Sequence, residues 1–348
     1  MKLLRSLATA TLVALILASL ASLNAHAVTI DWVTVGNPGN ANDTTGYGAV
    51  SYEYRIMKFE FTNDQYAAFL NAIDPDGTNP NSVYNANMGT NGRGGITNTG
   101  TTAGSIYAAK ENMGGKPVIF VNWWDAARVS NWLHNGAQTY GSTDSSASAP
   151  QNNGAYTTGS ATTGSAVPVN AGALFSIPTE NEWYKAAYYN PTLNAGTGGY
   201  RVYGNGFDST PGTVTADASG VGSAGGVGNF ANYNFVTDWN GQTGNVTTVG
   251  TNGGASYYGA FDMSGNVWEW NDLTGALGAS RGTRGGSWAS DASGVSSAVR
   301  GAGDASFDAS LSTGFRLASP VPEPSTYAIA LAGLTCGGFS MWRRQKRA

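Results

Sequence analysis

The sequence predicts an α+β fold with few helices, short strands and much irregular structure. Three observations predict it. Glycine supplies 49 of the 348 residues and charged residues only 11%, against about 7% and about 25% in an ordinary globular domain. Aromatic residues stand at 11%, with ten tryptophans, which is ample material for a core. Only three stretches carry a helix signature, and each is short. Together these describe a loop-rich globular chain and not a disordered one. The same composition excludes several functions. One cysteine rules out a disulfide framework and any Cys-x-x-Cys site. Two histidines rule out a histidine-rich metal centre. A net charge of −4 gives no electrostatic footprint for nucleic acid.

Taken in order, residues 1–27 read as a secretory signal. Lys2 and Arg5 form a basic start, Leu12 to Leu20 an apolar run, and Ala25-His26-Ala27 a small-x-small cleavage site. A strand is expected over 52–61. Thr62 and Gln65 then form a capping box, and Tyr66, Phe69, Leu70 and Ile73 recur as one helix face. A strand over 117–121 precedes Asn122, which opens a second helix with Ala126, Val129 and Leu133 on one stripe. Thr179 and Glu182 form another capping box, opening a helix that turns Trp183, Ala186 and Ala187 inward. Two stretches rich in Gly, Ser, Thr and Asn, near 77–105 and 136–170, read as surface insertions. Trp268 and Trp270 alternate with Val267 and Glu269, so a strand there puts both indoles on one face. Gly285 and Gly286 permit close backbone approach, and a last strand is expected over 313–318. No repeat or composition break divides residues 28–318, which read as one domain.

The end of the chain, 319–348, carries a second address. Val321-Pro322-Glu323-Pro324-Ser325 is followed by an apolar stretch from Tyr327 to Trp342 and then by Arg343, Arg344, Lys346 and Arg347. The stretch can span a bilayer, though slightly short, with the basic cluster holding its end in the cytoplasm. This three-part tail resembles the PEP-CTERM sorting signal of Gram-negative bacteria. The resemblance implies recognition by an exosortase, transient anchoring in the inner membrane, and export to the outer surface or extracellular matrix. Between signal and tail the chain keeps 12 basic and 21 acidic residues. It keeps no cysteine there, because Cys336 lies in the tail.

The body resembles the formylglycine-generating enzyme, or sulfatase-modifying factor, family over roughly residues 50–318. Five ordered blocks carry the resemblance: Tyr54 to Tyr66, Pro117 to Ala127, Phe175 to Ala187, Phe261 to Trp270, and the pair Arg284-Gly-Gly-Ser-Trp288 with Gly314-Phe-Arg-Leu317. The implied fold is the C-type-lectin-like variant of that family. The implied chemistry is an oxidase with two copper-binding cysteines shortly after the Gly-Gly-Ser block. Those positions fall on Ser290 and Val295. Neither supplies the soft thiolate that Cu(I) prefers, so copper and the oxidase reaction are not expected. The sulfoxide synthases of the same fold need a histidine-rich site, and the body has His134 alone. A hydrolase triad would also need His134, which suits the end of a helix better. Glu180 and Glu182 read as cap residues, and no phosphate-cradling loop is present.

The resemblance further implies structural calcium. One site maps to Asp262, Gly265, Val267 and Glu269, with two carboxylates and two carbonyls as hard oxygen ligands. A second maps to Asn232 and Tyr233, completed from the loop holding Asp238 and Asn240. The expected function is an exported, non-catalytic binding module for a peptide or a glycan, with Trp239 as a candidate contact residue and Trp123 and Trp124 as candidates that read first as core residues. The alternative is an enzyme of rewired chemistry on the same scaffold.

Overall fold

The computed structural model describes residues 28–100, 104–272, 280–307 and 310–321. The expected signal, 1–27, and the tail from 322 onward lie outside the described residues. Among the described residues four regular helices are present, α1 (Asn63–Ile73), α2 (Ala86–Thr90), α3 (Trp123–His134) and α4 (Glu180–Tyr188), with one further turn at Leu193–Gly196 whose Asn194 and Ala195 take positive φ. The three longer ones begin at the expected caps. Thr62, Asn122 and Thr179 each accept the N–H of the third helical residue, whose side chain returns a hydrogen bond to the cap backbone. The predicted face of α1 is buried in full. Helix α3 departs from the expected single stripe. Every residue from Trp123 to Leu133 is buried, so α3 runs through the core and not over its surface.

Strands are short and fall into small sheets. β1 (Trp32–Val35), β2 (Tyr54–Met57), a hairpin of β3 (Ile96–Asn98) and β4 (Tyr107–Ala109), β5 (Tyr189–Asn190) with β6 (Gly199–Tyr200), and β7 (Gly212–Thr213) with β8 (Phe230–Ala231) come first. β9 (Trp268–Asn271), β10 (Ser280–Arg284), β11 (Gly301–Asp304), β12 (Thr313–Gly314) and β13 (Ala318–Pro320) follow. One antiparallel sheet has the order β1-β2-β13, and a mixed one the order β11-β10-β9-β12, with β12 parallel to β9. Strand β13 carries the folded domain through Pro320, past the expected boundary at 318.

Three expectations are corrected. Residues 117–121 form no strand: Phe120 sits at φ +63° and its N–H reaches the Ser310 carbonyl, so the segment bends into a loop. The strand expected over 313–318 is two, β12 and β13, serving different sheets. The polar stretches are not merely surface. Val83, Met88 and Ile96 from the first, and Ala155, Tyr156 and Ala166 from the second, enter the main core. Asparagine side chains let them in by answering buried backbone groups: Asn131 Oδ1 accepts the Tyr156 N–H at 2.6 Å.

Candidate functional site

The 262–270 segment turns sharply before entering β9. Asp262 and Asn266 take φ of +58° and +60°, and Gly265 takes +90°. A Cβ on Gly265 would collide with the Asn232 carbonyl oxygen, so only glycine fits. The Asn266 N–H donates to that same carbonyl at 2.8 Å. The structure therefore packs the residues of both expected calcium sites against one another.

Their side chains are engaged by protein. Glu269 is wholly buried and takes two 2.6 Å hydrogen bonds from Arg316, one on each oxygen, and a third from Trp183 Nε1 at 2.8 Å. Asp262 accepts the Gly250 N–H at 2.5 Å and Asn252 Nδ2 at 2.9 Å. Asn232 Oδ1 accepts the Thr237 hydroxyl at 2.8 Å, and its Nδ2 reaches the Asn245 carbonyl at 2.9 Å. Tyr233 donates its hydroxyl to the Pro211 carbonyl. Asp238 is exposed and accepts the Gly244 N–H, while Asn240 donates to the Gly92 carbonyl, so neither turns to Asn232. These side chains fit a calcium ion poorly. Among the described residues no cluster of three or more His, Cys, Asp or Glu is arranged to hold a metal.

A network organises this region that the sequence reading quoted in motifs but gave no role. Asn266 is its hub. Its Oδ1 accepts Asn232 Nδ2 and the Thr247 N–H, and its Nδ2 donates to Glu60 Oε2 at 2.9 Å. Glu60 Oε1 is buried and has no partner among the described residues. Burial holds the Glu60 carboxyl well above its ordinary range, and the charges of Asp262 and Glu269 raise it further. Burial pulls the Arg316 guanidinium down, but Glu269 beside it outweighs this and leaves it raised. The available signal was the Asn after a glycine in Ser264-Gly265-Asn266, since Asn tolerates positive φ.

Where the resemblance puts copper thiolates, the loop after Gly286 holds serines and a valine. Val295 is fully buried and packs with Tyr203, Ala231 and Tyr233. Ser290 Oγ accepts the Ser287 N–H at 3.0 Å, closing a local turn. His134 ends α3, where its Nδ1 accepts the Leu174 N–H at 3.1 Å. It bridges two segments from the last turn of the helix. Glu180 pairs with Arg284 at 2.7 Å and Arg300 at 2.8 Å. Trp123, Trp124 and Trp239 are 0%, 2% and 6% exposed, which removes them as ligand contacts.

One cleft gathers chemistry the sequence did not reveal. About 250 Å³ in volume, it is lined by Tyr52, Tyr54, Thr179, Glu182, Asp272 and Ser319, among others. Asp272 pairs with Arg281 at 2.9 Å. Burial still pushes its carboxyl up to about 7, against the lowering pull of Arg281. Burial also raises Glu182, whose oxygens accept from Tyr52 and Thr179. Residues so far apart in sequence leave no local motif.

Few helices, short strands and small mixed sheets make this a C-type-lectin-like α+β domain. Residues 39–321 match the family described as the sulfatase-modifying factor enzyme 1-like domain, and the chain belongs to that family. Similar solved structures include CarF, 22% identical, covering 85% of this chain and 100% of that one at a TM-score of 0.49. Treponema denticola variable protein 1 is 19% identical, with coverages of 86% and 98% and a TM-score of 0.45. PvdO from Pseudomonas aeruginosa is 16% identical, with coverages of 84% and 92% and a TM-score of 0.38. No curated protein matches the chain.

Proposed function

We propose that the chain is an exported binding module that keeps the sulfatase-modifying factor scaffold without its oxidase chemistry. The observation that carries this reading is the pair Ser290 and Val295 at the positions of the copper thiolates. A buried valine in an apolar cluster cannot ligate, and a hydroxyl engaged with its own loop is no substitute for a soft sulfur. No other cysteine exists in residues 28–318 to replace them. Export rests on the signal at 1–27 and the exosortase-type tail, with 28–318 as the working domain and the outer surface or matrix as its destination. Its ligand is a peptide or a glycan; nucleic acid is not expected.

Calcium belongs to the proposal as a structural ion only. With the Asp262 and Glu269 oxygens already paired, the carbonyls of Gly265 and Val267 are the main ligands left for it; at the second site, Asn232 and Tyr233, an ion has to displace the Thr237 hydroxyl or the Asn266 N–H from Asn232. Metal analysis and thermal melting with and without EDTA test it: no bound calcium and no change in Tm would remove it. The oxidase claim is tested by incubating copper-loaded protein with a cysteine-containing sulfatase-type peptide. Formylglycine formation, read by mass, would overturn the proposal. Mass spectrometry of the exported protein reports both processing sites.

The second reading, an enzyme of rewired chemistry, is favoured by the cleft holding Glu182 and Asp272. A carboxyl titrating near 7 lies in the range of a general acid–base. Turnover of chromogenic glycosides or esters, lost in Asp272→Asn, would select that reading.

A further inference from the structure

A polar surface cavity lies away from the 262–297 region. A cavity of about 650 Å³ opens between the 37–44 loop and the β5–β6 hairpin. That volume falls within the roughly 300–1,000 Å³ of small-molecule sites. Its wall is built from Asn40, Asn42, Asp43, Asn194, Tyr189 and Tyr200, with threonines, glycine backbone, one alanine and one proline. Among the described residues no lysine, arginine or larger aliphatic side chain lines it.

We infer that this cavity is a binding site for a neutral, hydroxyl-rich ligand, namely a saccharide unit; the inference rests on the binding-module reading and gives it a site and a ligand class.

The wall chemistry selects the class by exclusion and by match. A phosphate, sulfate or carboxylate ligand would call for Lys or Arg donors, which the wall lacks. An apolar ligand would call for aliphatic lining, also lacking. A cation finds Asp43 already accepting from the Thr44 N–H at 2.7 Å and from the Tyr184 hydroxyl at 2.5 Å. What remains is a set of amides and hydroxyls that both donate and accept, as a sugar hydroxyl does. Asn42 Oδ1 takes the Ala49 N–H, and its Nδ2 makes no hydrogen bond among the described residues. Tyr189 lines the cavity, and its hydroxyl, open to the cavity, makes no hydrogen bond among the described residues, which leaves it free to donate to and accept from a ligand hydroxyl.

The site is also built in advance. Tyr200 ties its two walls together, accepting from Asn40 Nδ2 at 2.6 Å and donating to the Ala41 carbonyl at 2.7 Å. The Tyr189 and Tyr200 rings meet edge to face with centroids 5.1 Å apart. Lys185, wholly buried on α4, holds the Asn37 carbonyl at 2.9 Å. On the rim, Asn37 and Asn194 stand at φ +56° and +52°, a conformation asparagine tolerates, and so fix the course of both walls.

The test uses the purified full chain in calorimetric titrations. The probes are neutral tetrasaccharides of glucose, galactose, mannose and N-acetylglucosamine, a sulfated tetrasaccharide, and a pool of short peptides. At least one neutral sugar should bind, and the sulfated one should not. Tyr189→Phe removes a hydroxyl that no described residue uses, so its Tm should hold while affinity falls about 2- to 12-fold, the worth of one hydrogen bond. Tyr257→Phe, an exposed tyrosine outside the cavity, should leave affinity unchanged. Sugar binding insensitive to Tyr189→Phe and Asn42→Ala would overturn the site while sparing the binding-module reading. Peptide binding without sugar binding would overturn the ligand class alone. Silence from every probe would overturn both.

Discussion

Replacing Glu269 with glutamine tests what holds the centre of this domain. Glu269 and Arg316 are each 0% exposed and share two hydrogen bonds of 2.6 Å. Arg316 spends its remaining donors on the carbonyls of Met57 at 3.1 Å, Lys58 at 3.3 Å and Phe261 at 2.8 Å. Glutamine keeps one acceptor oxygen and turns an amide N–H₂ toward the guanidinium. Breaking a buried pair by removing one partner costs about 3–5 kcal/mol, because the other charge stays buried. Glu60 and Asp262 still face Arg316, which places the expected loss toward the lower end. Urea unfolding followed by tryptophan fluorescence should show it, and Glu269→Met with Arg316→Met should recover most of it, since no charge is then stranded. The unfolding is run in EDTA and in calcium. A penalty inside about 0.5 kcal/mol, the range of a surface substitution, would refute the reasoning. So would a wild type that drops in EDTA to the level of the variant, because the carboxylate would then be serving a cation.

Three other outcomes are expected. Thr179→Ala removes the acceptor of the Glu182 N–H at 3.2 Å and a donor to its carboxylate at 2.9 Å; it should cost about 0.5–2 kcal/mol in urea, with Thr179→Ser close to wild type. Gly265→Ala meets both a positive φ and the Asn232 carbonyl; it should lower stability by more than about 1 kcal/mol, read as a fall in Tm. For Asp272 the carboxyl rises from 3.8 to about 7 on folding, so the native state holds its proton more tightly. Its contribution is fully present below pH 4 and is lost as pH rises through 7, at up to about 1.4 kcal/mol per pH unit. The stability difference between pH 5 and pH 8 should therefore shrink in Asp272→Asn, and an unchanged difference would count against the shift.

The helices were legible because their signals are local. Thr62 with Gln65 and Thr179 with Glu182 sit three residues apart and answer each other wherever the helix goes. The 117–121 segment was not legible for the opposite reason. Its apolar run reads as a strand, but Phe120 donates to Ser310, nearly two hundred residues away, and the chain bends to reach it. The site divides the same way. Asp262 and Glu269 were visible in one motif, yet their partners Asn252, Gly250, Trp183 and Arg316 come from four other segments. Trp123 and Trp124 could be read as core because they open a helix whose stripe is apolar, and both are buried. The cavity of the 37–44 loop is lined by residues that turns use everywhere, so composition there signals a loop and hides a site.

The loop carrying Ser290 and Val295 is held in place with little help from those two side chains. The Trp288 N–H donates to the Asn266 carbonyl, Gly285 accepts from the Gly265 N–H, and Phe235 and Asn234 donate to the carbonyls of Trp288 and Ser290. Arg284 anchors the strand before it to Glu180. Every one of these bonds uses backbone or a residue other than those at 290 and 295 as its side-chain partner. The hydroxyl of Ser290 adds only a local turn, and Val295 adds apolar packing. The bonds that hold this loop therefore place little demand on the side chains at 290 and 295. Membership in the family then predicts the fold and leaves the activity open. What the chain does is therefore better sought in its own polar cavity, at Tyr189 and Asn42, than in the family's name.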